Sequence, residues 1–255
     1  MKSVLKNKGT RVVLGIMLIL AAAGVTIAWI YYGNINKSVD PRVKQARLMY
    51  ARYNTYAADS EYEMVLSLLD SIEKVYVTIP HYRNSYEMGV IHNNRASVFL
   101  TLALSDTARQ DIRQSFFALA EEHLMQGIDY YNGWMALYGY RSEEEIRAVV
   151  EMDFSSDSIL VRHDNLSAII QSRVQEIQMA LIETPRRLSV SYTNMGIIRR
   201  HDNQLEEAYE YYAKALELWE ENHAAKNNLN ILFGKPPEKQ SVFRKLFPPE
   251  RNGAE

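Results

Sequence analysis

Residues 12–32 form a run of 21 positions without a charged side chain, rich in Leu, Ile, Val and Ala. About 20 apolar residues cross the hydrocarbon core as a helix, so this stretch is expected to span a membrane. Beyond it the pattern changes. Apolar positions recur at helical spacing between turn residues, and almost nothing alternates as a strand would. Cap residues mark the helix starts. Asp40 precedes Pro41, which puts proline in a first turn, where its missing N–H costs nothing. Ser60 with Glu63, Thr107 with Gln110, Ser142 with Glu145, and Asn203 with Glu206 have the spacing of capping boxes. Thr184 before Pro185 reads as a further break, separating a helix that begins near Asn165 from one that carries Tyr192. Nine helices are expected in an all-α body of about 200 residues.

Charge and aromatic placement orient the span. Lys2, Lys6, Lys8 and Arg11 precede it with no acid among them, whereas Lys37, Arg42 and Lys44 beyond it are offset by Asp40. Trp29, Tyr31 and Tyr32 gather at its far end, at headgroup level. The bias leaves the amino terminus (1–11) inside and exports everything from Gly33 onward. A cleaved signal peptide is the competing reading, with Ala21 and Ala23 as the small-residue pattern, although the apolar run continues through Ile30.

Composition narrows the function classes. The chain has 47% hydrophobic and 24% charged residues, enough for a core and a solvated surface. It has no cysteine, which excludes disulfides, thiolate metal sites, cysteine nucleophiles and a lipoprotein anchor. Four of the 29 basic residues lie before the span and all 31 acids after it, so the body is acidic and nucleic acid is not an expected partner. His81, His92, His123, His163, His201 and His223 show no metal-ligand spacing, and H-E-x-x-H, G-x-S-x-G and phosphate-loop patterns are absent. No cofactor is expected. Arg162-His163-Asp164-Asn165 recurs as Arg200-His201-Asp202-Asn203, both copies reading as turns ahead of a helix, where Asp and Asn bond locally.

Residues 192–220 carry the most specific pattern. Tyr192, Met195, Gly196, Arg199, Ala208, Tyr212 and Ala215 fall in the order and spacing of the aromatic, aliphatic and small packing positions of the tetratricopeptide repeat, which this region resembles. The resemblance is specific over 189–234, with the best repeat at 189–222 and a cap helix at 223–234. It is looser around Ala96, Phe99, Ala120, Leu124 and Gly127, where about twelve extra residues intervene, and around Tyr62, Val65, Leu69 and Ile72. The stretch 134–160 fits no repeat. The implied fold is a right-handed superhelix of antiparallel helical hairpins over 33–234, with irregular insertions.

Function by this resemblance means binding other proteins. Its groove is lined by the first helix of each hairpin and takes peptides or single helices. Asn94, Asn194 and Asn228 are the candidates to hold a peptide backbone, since an amide donates and accepts at once. Thr193, Ile197 and Arg200 lie beside them, and with Arg199 the basic residues are fewer than a terminal-carboxylate clamp uses. Tyr192, Met195, Gly196, Ala208, Tyr212 and Ala215 are expected to pack the hairpin. The tail 235–255 holds four of the seven prolines and a short apolar face of Val242, Phe243, Leu246 and Phe247, a candidate docking motif. The expectation is a single-pass adaptor of the bacterial inner membrane, with its body in the periplasm, serving a secretion, motility or cell-wall complex. A cytosol-facing receptor for chaperones or precursors is the alternative, and an enzyme within 134–160 a third. Self-association is left open.

Overall fold

The computed structural model describes residues 38–105 and 109–238. The expected membrane span, Thr107 of the second capping box and the apolar face at 242–247 lie outside the described residues. No helix among those described is long and apolar enough to cross a membrane.

The described chain is all α. Its helices are α1 (Lys44–Ala58), α2 (Tyr62–Val77), α3 (Tyr86–Ala103), α4 (Gln110–Tyr138), α5 (Glu143–Ser155), α6 (Leu166–His201), α7 (Leu205–Leu218) and α8 (His223–Leu232), with a 3₁₀ turn at Leu160–Arg162 ahead of α6. Successive helices pack antiparallel, with α1 on α2, α3 on α4, α5 on α6, α6 on α7 and α7 on α8. The helix pairs stack, α4 and α3 against α6 and α2 against α3.

Eight helices replace the expected nine because Thr184–Pro185 is no break: α6 runs for 36 residues straight through Pro185. Proline removes one backbone bond and crowds the carbonyl four residues back. Packing on both sides of it compensates. Ile177 and Ala180 join α5 in one core cluster, while Leu188 and Tyr192 join Val90 and Tyr131 in another. The Thr184 hydroxyl turns back to the Ala180 carbonyl at 2.7 Å.

Of the capping boxes among the described residues, Ser142–Glu145 forms in both directions. Ser60 and Asn203 do not start helices; they end them. Both adopt the left-handed conformation, at φ 59° and 61°. Around each, paired hydrogen bonds close the preceding helix: Glu61 N to Tyr56 O with Ser60 N to Ala57 O, and Gln204 N to Arg199 O with Asn203 N to Arg200 O. Asp40 likewise falls short of the first helix, whose N-cap is Val43, and instead accepts from the Arg42 backbone at 2.9 Å. The second Arg-His-Asp-Asn copy therefore closes α6.

Close helix contact is set by two glycines under two tyrosines. A Cβ on Gly196 would lie 2.7 Å from Cδ1 of Tyr212, and one on Gly89 would lie 2.6 Å from Cε1 of Tyr131. Tyr192, Met195, Gly196, Ala208, Tyr212 and Ala215 are all buried. The earlier half-motif also closes, with Ala96, Ala120 and Leu124 joining Met195 and Ile198 in one cluster. The extra residues there are helix turns, since α4 is 29 residues long. The stretch after Trp134 supplies α5, whose Ile146, Val150 and Phe154 cover the first half of α6.

Alanine normally stabilises a helix by about 1 kcal/mol over glycine, whereas overpacking costs about 1–3 kcal/mol. Gly89→Ala and Gly196→Ala should therefore lower stability by up to about 2 kcal/mol in urea titration. Gly133→Ala, where a Cβ meets nothing within 4 Å, should raise it by a few tenths to about 1 kcal/mol.

Candidate functional site

Helices α1, α3 and α6, with Tyr76 of α2, enclose a groove. α3 forms its floor, α1 one wall and the first half of α6 the other, around a volume of about 430 Å³. Its lining combines Tyr50, Tyr76 and Tyr86, the apolar Val90, Met179 and Ala180, and the charged Arg47, Glu87, Glu176, Glu183 and Arg187. A depression of about 590 Å³ also runs along the outside of α4, lined by Asn84, Gln126, Asp129, Tyr130, Gly133 and Leu137. Nearly all of those residues belong to one helix, so nothing converges on that space.

Charged residues set the groove's shape from beneath. Arg173 on α6 is 2% exposed, and its guanidinium reaches Glu87 at 2.5 Å and Glu176 at 3.3 Å while lying 4.4 Å over the Tyr82 ring. Glu176 also pairs with Arg47 of α1 at 2.7 Å. Burial raises the Glu87 carboxyl, but the adjacent Arg173 charge overrides it and holds the pKa down to about 2. Burial opposes the Arg173 charge too, and the carboxylates restore it, so its pKa ends well above the ordinary arginine value. Arg173 Nε donates to His81 Nε2 at 3.1 Å. Since that ring nitrogen must accept, Nδ1 carries the proton and donates to Asp153 at 2.8 Å. Burial, followed by the neighbouring Arg173 charge against Asp153, keeps His81 below its ordinary pKa. Arg42 extends the network, joining Asp40 at 2.7 Å and Asp157 at 2.8 Å.

The upper end of the groove is different. Arg187 is half-buried among the phenols of Tyr86, Tyr131 and Tyr50. No carboxylate among the described residues lies within 4.0 Å of its guanidinium. Burial raises the pKa of all three tyrosines, which therefore stay neutral. The Tyr50 oxygen accepts from Asn94 Nδ2 at 2.7 Å, and its ring stacks on Tyr53 at 5.3 Å.

None of the six residues expected to line a groove lines this one. Asn94 is buried and engaged with Tyr50, behind the wall. Thr193 is buried in a polar node, where Asn222 Nδ2 donates to it at 2.9 Å and to Ser189 Oγ at 2.8 Å. Asn222 also caps α8 through Ala225 N at 3.0 Å. Arg200 and Asn228 do meet, at 3.1 Å, between α6 and α8. Asn194 and Ile197 are half-buried on the second half of α6. The chain begins its tail on α8, where Asn227 accepts from Glu238 N at 2.8 Å and donates to its carbonyl at 3.3 Å. His92 and His123, distant in sequence, face each other with Nδ1 atoms 3.2 Å apart, joining α3 to α4.

The groove residues all lie outside 189–234, where the repeat resemblance is specific. One signal was available: Arg173, Glu176, Ala180, Glu183 and Arg187 recur at three- and four-residue steps, a single face of α6. Comparison with protein-family models and with curated proteins finds no match for the chain.

Removing one partner of a buried ion pair costs about 3–5 kcal/mol, and a half-exposed pair less than about 1. Glu87→Gln should lower stability by about 3 kcal/mol, and Arg47→Gln by under about 1 kcal/mol. The depressed Glu87 pKa adds stability that is complete above about pH 4.5 and is lost as pH falls toward 2. Glu87→Gln should flatten that part of the pH–stability curve, measured as urea midpoints between pH 2 and 6.

Proposed function

We propose that this chain is a membrane-anchored adaptor of the tetratricopeptide-repeat type, whose groove between α1, α3 and α6 holds a segment of a partner protein. The observation that carries this reading is the groove itself. Three helices, α1, α3 and α6, converge on an open, partly apolar surface whose charged walls are held in place by a buried ion network. A site of that kind presents a shaped face to an extended or helical segment. The recurrence of glycine under tyrosine in two hairpins, α3–α4 and α6–α7, supports the repeat reading, as do the small residues at their crossings.

The charge bias around residues 12–32 and their apolar length support an anchor with the body exported. On this reading the protein sits in the inner membrane of a bacterium and attends an envelope complex such as a secretion, motility or cell-wall assembly. An alkaline-phosphatase fusion after Gly234 should be active in a bacterial host. An inactive but stable fusion would turn the body to the cytosol and favour a receptor for chaperones or precursors.

The groove is tested by position-specific photocrosslinking in native membranes. A photoreactive residue at Met179, which lines the groove and is 57% exposed, is compared with one at Met125, 54% exposed on α4. The expected outcome is a discrete protein adduct at 179 that is absent at 125. Identical adduct patterns at both positions, or none at either, would remove the groove from the function.

A further inference from the structure

We infer that the groove receives a segment bearing an acidic side chain beside an apolar one, with Arg187 taking the carboxylate; this rests on the groove reading above. Arg173 is matched by Glu87, and Arg47 by Glu176. Arg187 has no such match among the described residues and is ringed by three phenols that carry no charge at neutral pH. A partly desolvated guanidinium without an anion is costly, and an incoming carboxylate relieves that cost.

One hydroxyl points to the same ligand chemistry. The Tyr50 oxygen already accepts from Asn94, so the hydroxyl proton is left to donate, and Tyr50 lines the groove. Arg187 and Tyr50 both line the groove and together form a donor corner, which suits an anion with several acceptor lone pairs. Val90 and exposed Met179 supply the apolar floor and wall beside it.

The test uses the full-length protein in detergent micelles as bait for a displayed library of random twelve-residue peptides. Enriched peptides should carry Asp or Glu next to Leu, Met or Phe. A synthetic copy of one should bind Arg187→Met about tenfold or more weakly, as should its Asp→Asn or Glu→Gln version on the native protein. The two changes together should cost little more than either alone. Arg187→Met should keep or raise the urea midpoint, because it removes an unmatched charge. Four results overturn the inference: enriched peptides without acids, acidic peptides that bind Arg187→Met undiminished, a lowered midpoint marking Arg187 as a folding residue, or phosphorylated peptides preferred over their carboxylate counterparts. Met179→Arg separates the two levels: peptides lost on that variant but kept on Arg187→Met leave the groove reading intact. Peptides unaffected by both variants, or no enrichment at all, bring down both.

Discussion

One guanidinium holds the first two-thirds of the described chain in register. Arg173 is enclosed between the turn carrying His81 and Tyr82, the start of α3 at Glu87, and the indole of Trp134 at 5.6 Å. A buried arginine is stabilising only when its fork is filled, and here Glu87, Glu176 and His81 fill it. Each partner comes from a different element or is itself tied to another: Glu176 to Arg47 on α1, His81 to Asp153 on α5. Apolar packing tolerates small slips between helices. A charge held this way does not, so the groove walls have a defined spacing.

The second constraint is steric. Where α3 crosses α4 and α6 crosses α7, a tyrosine ring lies on a glycine, and no side chain could occupy that gap. Further aromatic contacts hold the two helices of each pair together, as Tyr86 does with Tyr131 at 5.6 Å and Tyr192 with Tyr211 at 6.1 Å. Tyr50 and Tyr86 pack against the core cluster of Tyr131 on one side and line the groove on the other, so core and groove share these two residues.

What the sequence made legible follows from distance along the chain. The α6–α7 hairpin was readable because Gly196 and Tyr212 are sixteen residues apart and fit one repeat. The equivalent Gly89 and Tyr131 are forty-two apart, because α4 is extended, so matching at fixed spacing aligned Ala96 instead. Met88-Gly89-Val90-Ile91 against Met195-Gly196-Ile197-Ile198 was the local clue. Ser60 and Asn203 misled because one polar side chain can cap the next helix or sit left-handed at the end of the last, and three-residue spacing to a glutamate does not separate the two. The ion network was illegible for a plainer reason. Arg173 meets Glu87 across 86 positions, and no local pattern encodes that meeting.

Pro185 has a mechanical consequence. α6 is 36 residues long, about 54 Å at 1.5 Å per residue, and acts as a beam from the ion network at one end to the α8 junction at the other. A beam missing one internal bond flexes there before anywhere else. That point lies between Glu183 and Arg187, inside the groove wall. Bending at Pro185 would swing the Arg187 end relative to the Glu176 end and change the width of the groove. Strain applied at α8 and its Asn227-held tail would then be felt as a change of aperture some 25 Å away along the beam.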